Sequence, residues 1–278
     1  MTLYCRTCVG LLASALASIA PSAPASQNPP QPRYKITIDR TFAAVNYRSH
    51  GSARVDFRGT TLAFQAVGEA RVIGQRGAIR IDVHFDKLSP ASDIGPECLT
   101  YVLWAISPEG RVRNLGEVVL KGREGRLTVT TSLQTFAMML TAEPYFAVSM
   151  PSDLVVAQNV FRRDSLGSQI PIEAKCELLH GDYTKADLQH VNINSKIPLD
   201  LYQARNAVQI AKSAGADRYS PDSLAKSKNA LQKAERYQSR KDDNRRLVIA
   251  TARKAVRAAE DARVIAGRRS AEELALTH

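Results

Sequence analysis

The sequence is poor in cysteine and aromatic residues and has no long apolar run. Its 278 residues include four Cys and a single Trp, and aromatic side chains make up 6% of the chain. No apolar run reaches the ~18 residues that a membrane-spanning helix requires, so the sequence predicts no such helix. With 44% hydrophobic and 23% charged residues, the composition is typical of folded protein and leaves room for about two domains.

The sequence also lacks the motifs of the common enzyme classes. It contains no P-loop, no dinucleotide-binding glycine fingerprint and no H-E-x-x-H motif. Ser223 and Lys226 have the Ser-x-x-Lys spacing of penicillin-binding proteins and serine β-lactamases, but no Lys-Thr-Gly element accompanies them. They follow Ser220 and Pro221, a pair typical of a helix start. We therefore predict no catalytic residue, no cofactor and no enzyme activity.

One cluster has the composition of a metal site. It comprises Cys176, His180, Asp182 and His190. Their spacing matches no recognised ligand pattern and crosses a polar connector, so we interpret them as a buried thiol and solvent-exposed histidines. His84 falls on the polar face of a predicted strand, and neither it nor His50 has a partner within a motif. We predict no metal site.

The first residues have the pattern of a secretory signal peptide. A single charge, Arg6, precedes an apolar stretch from Val9 to Ala20, and the small residues Ala23-Pro24-Ala25 supply a cleavage site. The alternative is a short buried helix, but the sequel rich in Pro, Ser and Gln favours export. We predict a signal peptide over 1–25, a Pro-rich linker over 26–33, and a location in the periplasm or cell envelope.

The mature chain would keep two of the four cysteines. Cys5 and Cys8 form a Cys-x-x-Cys pair, but both lie in the predicted signal peptide and would be removed with it. Cys98 and Cys176 remain, and an oxidising periplasm permits a disulfide between them. The alternative is two separate buried thiols that pack as small hydrophobic side chains.

Apolar and polar residues alternate with period two across 34–163, between turns that contain glycine. The predicted strands are Tyr34–Asp39, Ala53–Phe57, Leu62–Ala66, Ala78–Phe85, Leu99–Ile106, Arg113–Leu120, Gly125–Thr131 and Phe136–Thr141. Many short strands at regular spacing predict an all-β, immunoglobulin-like sandwich. Trp104 lies in the middle of a strand, where we expect it to anchor the core.

Two segments of this region resemble a known family. They are Thr100–Gly110, with a Tyr-Val-Leu-Trp element, and Thr135–Pro144, with a Thr-Ala-Glu-Pro element; Leu115–Val118 and Pro151–Val156 follow them. Over roughly 67–160 the chain is similar to the extracytoplasmic β-sandwich of anti-sigma-K-type factors. The resemblance implies the sandwich alone, since we find neither the transmembrane helix nor the sigma-binding segment of that family.

After Pro198 the hydrophobic period changes from two to 3.6. A connector over 164–200 precedes the change and holds one predicted edge strand, Ile170–Leu178, with Cys176 facing inward. Gly215 stands where a glycine ends a helix. A later heptad seam is almost wholly alanine: Val248, Ala252, Ala255, Ala259, Ala262 and Ala266. Three helices joined by short turns predict an antiparallel three-helix bundle over 201–267, followed by a tail over 268–278.

The helical region carries a second resemblance. Ala204–Val208, Ala214–Asp217, Tyr219–Pro221 and Ala250–Ala262 are similar to an alanine-rich domain of unknown function. That domain precedes OmpA-like peptidoglycan-binding domains in bacterial envelope proteins, so the resemblance implies a place in the cell envelope. No OmpA-like domain follows before His278, and we do not expect the segment that grips peptidoglycan in those proteins.

Positive charge is the remaining signal. The chain has 38 Lys/Arg against 27 Asp/Glu, a net charge of +11, and the 17 Lys/Arg and 9 Asp/Glu after position 200 supply a surplus of 8. The candidate contacts to an anionic surface are Arg245, Arg246, Arg253, Lys254 and Arg257. Envelope polymers or lipid headgroups fit this charge, and an exported protein is not expected to meet nucleic acid. The alternative is a solvated face that only keeps the bundle soluble.

These patterns predict an α+β protein of two domains, an immunoglobulin-like sandwich followed by an antiparallel three-helix bundle. The predicted function is that of a non-enzymatic, exported cell-envelope protein that is peripheral to the membrane at most. Its bundle would be a spacer or docking module for peptidoglycan, anionic lipid or an envelope protein. The alternative is an extracytoplasmic sensor or regulatory protein whose sandwich binds a partner or ligand.

Overall fold

The computed structural model describes residues 35–42, 44–47, 51–160, 172–179, 183, 186, 188, 192–240 and 245–276. The predicted signal peptide and linker lie outside these residues. Arg33–His278 form one unit, in which strands precede helices along the chain. The elements are β1 Lys35–Phe42, β2 Val45–Asn46, β3 Ser52–Gly59, β4 Val67–Gln75, β5 Ala78–Asp86, β6 Thr100–Ile106, β7 Val112–Lys121, β8 Glu124–Thr131, β9 Thr135–Glu143, β10 Val155–Val160, β11 Ile172–Leu179, α1 Leu199–Ser213, α2 Ala216–Tyr219, α3 Pro221–Gln238 and α4 Arg245–Leu276.

Eight of these strands close into an antiparallel barrel. Their order around the barrel is β3-β4-β5-β8-β7-β6-β9-β10, and β10 pairs with both β9 and β3, which closes the ring. The predicted sandwich is therefore wrong. Two separate sheets would leave edge strands unpaired, whereas here β10 pairs with β3 on one side and β9 on the other. Alternation could not tell the two folds apart, since strands of a sandwich and of a barrel both have an inner and an outer face.

Apolar side chains fill the barrel. Strand β5 supplies Ile79, Ile81, Val83 and Phe85, all of which are buried. On the neighbouring strand Gly68 lies so close to Phe85 that a Cβ at this position would be 2.5 Å from the ring carbon Cδ1. A barrel of eight strands is just wide enough for side chains to fill its interior, so this part of the chain is a packed core.

The segment between β3 and β4 differs from the sequence prediction. Residues 60–66 form turns instead of the predicted strand Leu62–Ala66, and Phe64 is 77% exposed. The next strand along the chain is β4, which begins at Val67 and pairs with β3 and β5 along its length. Glycine and short side chains on β4 weaken the apolar alternation there, which explains why the pattern did not reveal it.

Strand β6 is buried on both faces. Leu103 and Ala105 belong to the cluster that fills the barrel, whereas Val102, Trp104 and Ile106 belong to a second cluster that includes the helices. All seven residues of the strand are buried. The prediction that Trp104 is a core anchor is confirmed. It lies between the outer wall of the barrel and the helices.

Two strand pairings lie beside the ring. β2 pairs with β9, and β1 pairs antiparallel with β11 along eight residues, from Lys35 opposite Leu179 to Phe42 opposite Ile172. A strand is therefore present where the sequence predicted one in the connector, with β1 as its partner. Cys176 on this strand is buried, as predicted.

The helices form a layer on the barrel instead of a separate three-helix bundle. The structure describes four helices where the sequence predicted three, because the short α2 follows Gly215. Their buried residues belong to the same core cluster as those on the outer side of β6 and β9. Gly215 has φ +79° just after α1, which confirms it as the glycine that ends this helix. α3 begins at Pro221 as predicted, although the Ser220 side chain makes no capping hydrogen bond.

No described helix combines the length and the apolar character that crossing a bilayer would require.

Candidate functional site

Helix α4 is buried along two rows of side chains. The first row is the predicted alanine seam, which is confirmed: each of its residues is at most 1% exposed, and α4 packs against α1 and α3. The second row consists of Val256, Glu260 and Arg263, at spacings of four and three, and all three are buried as well. Tyr145 and Ser149, in the segment after β9, donate hydrogen bonds to Glu260, and Arg263 donates one to Ser149, so the second row faces the barrel.

The second row contains a buried ion pair. Arg263 Nε lies 2.7 Å from Glu260 Oε2 and its Nη2 lies 2.8 Å from Oε1, with both side chains 6% exposed. Tyr145 donates its hydroxyl hydrogen to Glu260 Oε2, and the Ser149 N–H donates to Oε1. Burial opposes ionisation of Glu260, but the hydrogen bonds and charge of Arg263 outweigh it and hold the pKa of this carboxyl below its usual value.

A second ionic contact joins α4 to strand β7 and helix α1. Arg253 Nη1 lies 2.7 Å from Glu117 Oε2 and 2.9 Å from Asp200 Oδ1. Its guanidinium carbon stacks 3.7 Å from the centre of the Phe146 ring, within the range of a cation–π contact. Gln203 of α1 donates to the other oxygen of Glu117 at 2.6 Å. These contacts hold α1, α4 and the barrel wall together.

Glu143 is the most deeply buried carboxyl of this interface. Its Oε1 accepts hydrogen bonds from the Ser152 N–H at 2.8 Å and the Thr141 hydroxyl at 2.5 Å, and Tyr183 lies 3.4 Å from Oε2. Trp104 Nε1 donates to Thr141 Oγ1 at 2.8 Å, which links the network to β6. Burial raises the pKa of Glu143 to about 7, and these hydrogen bonds offset only part of that effect.

The structure divides the predicted surface contacts into two groups. Arg245, Arg246, Lys254 and Arg257 are exposed, and within the described part of the chain they form no ion pair. Arg253 differs, since it is bound to Glu117 on the barrel and to Asp200 on α1. Arg257 shares features of both groups. It is exposed, but its guanidinium carbon lies 5.5 Å from the centre of the Phe146 ring.

The other residues singled out from the sequence are scattered. Ser223 is half-buried and Lys226 exposed near the start of α3, as expected of a helix start. His50, His180, Asp182 and His190 lie outside the described residues.

The two cysteines of the mature chain lie in different core clusters. Cys98 belongs to the cluster inside the barrel, and burial raises the pKa of its thiol well above the usual value. Cys176 belongs to the cluster beneath the helices. The disulfide between them stays a prediction, and electrophoresis with and without a reductant tests it.

Sequence reasoning missed the buried ion pair on α4. It assigned no role to Glu260 and included Arg263 only in the count of positive charge after position 200. The available signal was the row at spacings of four and three that both residues form with Val256. A helix with two adjacent buried rows packs against two partners, whereas the predicted bundle used only one seam.

Comparison with known proteins gives no relative: no protein-family profile, no curated protein and no solved structure matches this chain.

Proposed function

We propose that the protein is a non-enzymatic, exported cell-envelope protein whose helix α4 docks onto anionic lipid headgroups. One observation carries the proposal: Arg245, Arg246, Lys254 and Arg257 are exposed on the first half of α4, with no acidic side chain paired to them among the described residues. The 13 positions from Arg245 to Arg257 extend about 18 Å along the helix axis.

The anchorage of α4 supports this proposal. Arg253 lies between the exposed cations and is bound to Glu117 and Asp200, while Glu260 and Arg263 fix the helix further along. The cations therefore project from a helix that the barrel holds in place. Each Lys or Arg near an anionic membrane surface contributes about 1 kcal/mol, so four contribute about 4 kcal/mol at most. We infer a peripheral, salt-sensitive association.

Vesicle binding tests this proposal. The protein is sedimented with vesicles of phosphatidylglycerol and phosphatidylcholine at low and high salt, and with purified sacculi in parallel. We expect binding to the anionic vesicles that is lost at high salt. Replacing Arg245, Arg246, Lys254 and Arg257 with Gln should weaken binding by about 10²-fold to 10³-fold, since 1.4 kcal/mol corresponds to a tenfold change.

A matched control variant separates docking through these α4 cations from an effect of net charge. Helix α3 also carries four exposed cations, Lys226, Lys228, Lys233 and Arg236. Their replacement with Gln removes an equal number of positive charges. This variant should retain most of the binding. Equal losses in both variants, or binding that high salt does not reduce, would show that the first half of α4 is not the docking site. Binding to sacculi alone would transfer the proposal from lipid to peptidoglycan.

A further inference from the structure

The outer wall of the barrel brings one histidine and two carboxylates together. His84 and Asp86 lie on the same outer face of β5, and Glu124 begins the neighbouring strand β8. His84 Nε2 is 3.2 Å from Asp86 Oδ1 and 3.9 Å from Glu124 Oε2. One ligand atom from each of the three residues lies within 4.8 Å of the others.

The imidazole nitrogen at the centre of this group lacks a hydrogen bond. His84 Nε2 has almost no accessible surface, and it makes no hydrogen bond to any described group even though Asp86 lies near it. A buried polar atom without a partner is costly. This nitrogen faces one oxygen of each of two carboxyl groups, so the three atoms converge on a common point.

We propose that His84, Asp86 and Glu124 bind a divalent transition-metal ion of the Zn²⁺ type. Zinc is held by imidazole nitrogen and carboxylate oxygen at about 2.0–2.2 Å, so tetrahedral ligand atoms are about 3.4 Å apart. The distances of 3.2 and 3.9 Å from Nε2 bracket this value. Three protein ligands leave one tetrahedral position for water or another small ligand.

The surroundings of the site both favour and oppose a cation. A surface cleft borders the site, and its lining includes His84, Asp86, Asp56, Glu69 and Arg58. It gives a metal ion access from solvent and adds the carboxyl groups of Asp56 and Glu69 nearby. Arg126 opposes binding, because its Nη2 lies 3.5 Å from Glu124 Oε2 and its charge competes with the metal ion for that ligand.

The sequence offered no motif partner for His84, and the folded chain places Asp86 and Glu124 within 4 Å of its Nε2. A His-x-Asp spacing on a strand places both side chains on one face, and this signal was present at positions 84 and 86. Glu124 could not be linked to them from sequence, because it comes from a different strand.

Zinc titration of the full chain, freed of metal with a chelator, tests the proposal. The background variant His180→Ala/His190→Ala removes the two histidines that follow Cys176 in the sequence, and calorimetry then measures binding of the metal alone. We expect one zinc ion per chain. His84→Ala, Asp86→Asn and Glu124→Gln should each weaken binding at least about tenfold.

Two further variants distinguish a metal site from general negative charge. Asp82→Asn removes a carboxylate of the same strand face that hydrogen-bonds Thr128, and it should change zinc affinity by less than about threefold. Arg126→Gln removes the competing cation and should tighten binding. Circular dichroism checks that each variant is folded, and the ring signals of His84 in NMR should shift on zinc addition.

The opposite results would overturn the proposal. They are the absence of stoichiometric zinc binding in the background variant, or binding that persists unchanged in folded His84→Ala. Either result would leave His84, Asp86 and Glu124 as neighbouring polar side chains on the barrel wall.

Discussion

Tyr145, just beyond strand β9, donates a hydrogen bond of 2.7 Å to the buried carboxylate of Glu260 on helix α4. The two residues are 115 positions apart, and their contact lies at the centre of the surface between the barrel and the helices. Around it the chain has buried a complete ionic group, because Arg263 and the Ser149 N–H occupy the remaining acceptor sites of Glu260.

Glu260→Ala should lower the free energy of unfolding by about 3–5 kcal/mol, because the substitution leaves the buried charge of Arg263 without its partner. Urea unfolding followed by circular dichroism measures the change. The control is Glu272→Ala, which removes an exposed partner of Arg268 at 3.7 Å and should cost less than about 1 kcal/mol. Similar losses for the two variants would contradict the assigned role of the interface pair.

Stability should fall as pH rises from about 4.5 to about 7. Burial raises the pKa of Glu143 to about 7 from its ordinary 4.5, so in this window the folded chain holds a proton that the unfolded chain has lost. The contribution of Glu143 to the free energy of unfolding is largest below about pH 4.5. It falls by about 3 kcal/mol by about pH 7.

Glu143→Gln isolates this effect, since its amide does not titrate. Urea unfolding across pH 4–8 should give a flatter profile for the variant than for the parent chain. Glu260 does not interfere, because its lowered pKa acts at more acidic pH than this window. Parallel profiles for the two proteins would show that Glu143 does not titrate in this range.

Ala259→Leu should destabilise the helical layer by about 1–3 kcal/mol, because the alanine seam leaves no space for a larger side chain. Ala250→Leu on the exposed face of the same helix is the matched control, and it should change the unfolding free energy by no more than about 0.5 kcal/mol. Thermal or urea unfolding separates the two, and a tolerated Ala259→Leu would indicate a looser seam.

Cell fractionation with N-terminal sequencing tests the proposed export. We expect a mature chain that begins near residue 26 in the periplasmic or envelope fraction. An unprocessed chain that begins at Met1 and remains in the cytosol would contradict both the predicted signal peptide and the proposed function.

The sequence predicts local features of this fold well because those features depend on near neighbours. The glycine that ends α1, the start of α3 at Pro221 and the alanine seam all follow from residues within one or two helical turns. The uninterrupted apolar run of β6 also carried information, because a strand without polar alternation is one that is covered on both faces. Treating β6 as one of a series of alternating strands concealed the helical layer.

The remaining features depend on contacts between distant residues. Barrel closure requires β10 to pair with β3, about 100 positions earlier, and the apolar pattern of either strand does not specify that partner. For the same reason, the contact of Arg253 with Glu117 could not be read from the sequence. Its charge placed it among solvent-facing cations, whereas a carboxylate 136 positions away holds it at the barrel.

The double-sided burial of β6 limits how the molecule can be divided in the laboratory. A fragment that ends before Leu199 would retain Val102, Trp104 and Ile106 but lose the helices that cover them. Such a fragment would expose this hydrophobic surface to water and should aggregate on expression. Pull-down or crystallisation work on this protein is therefore best designed around the full strand-and-helix region, with tags placed at its ends.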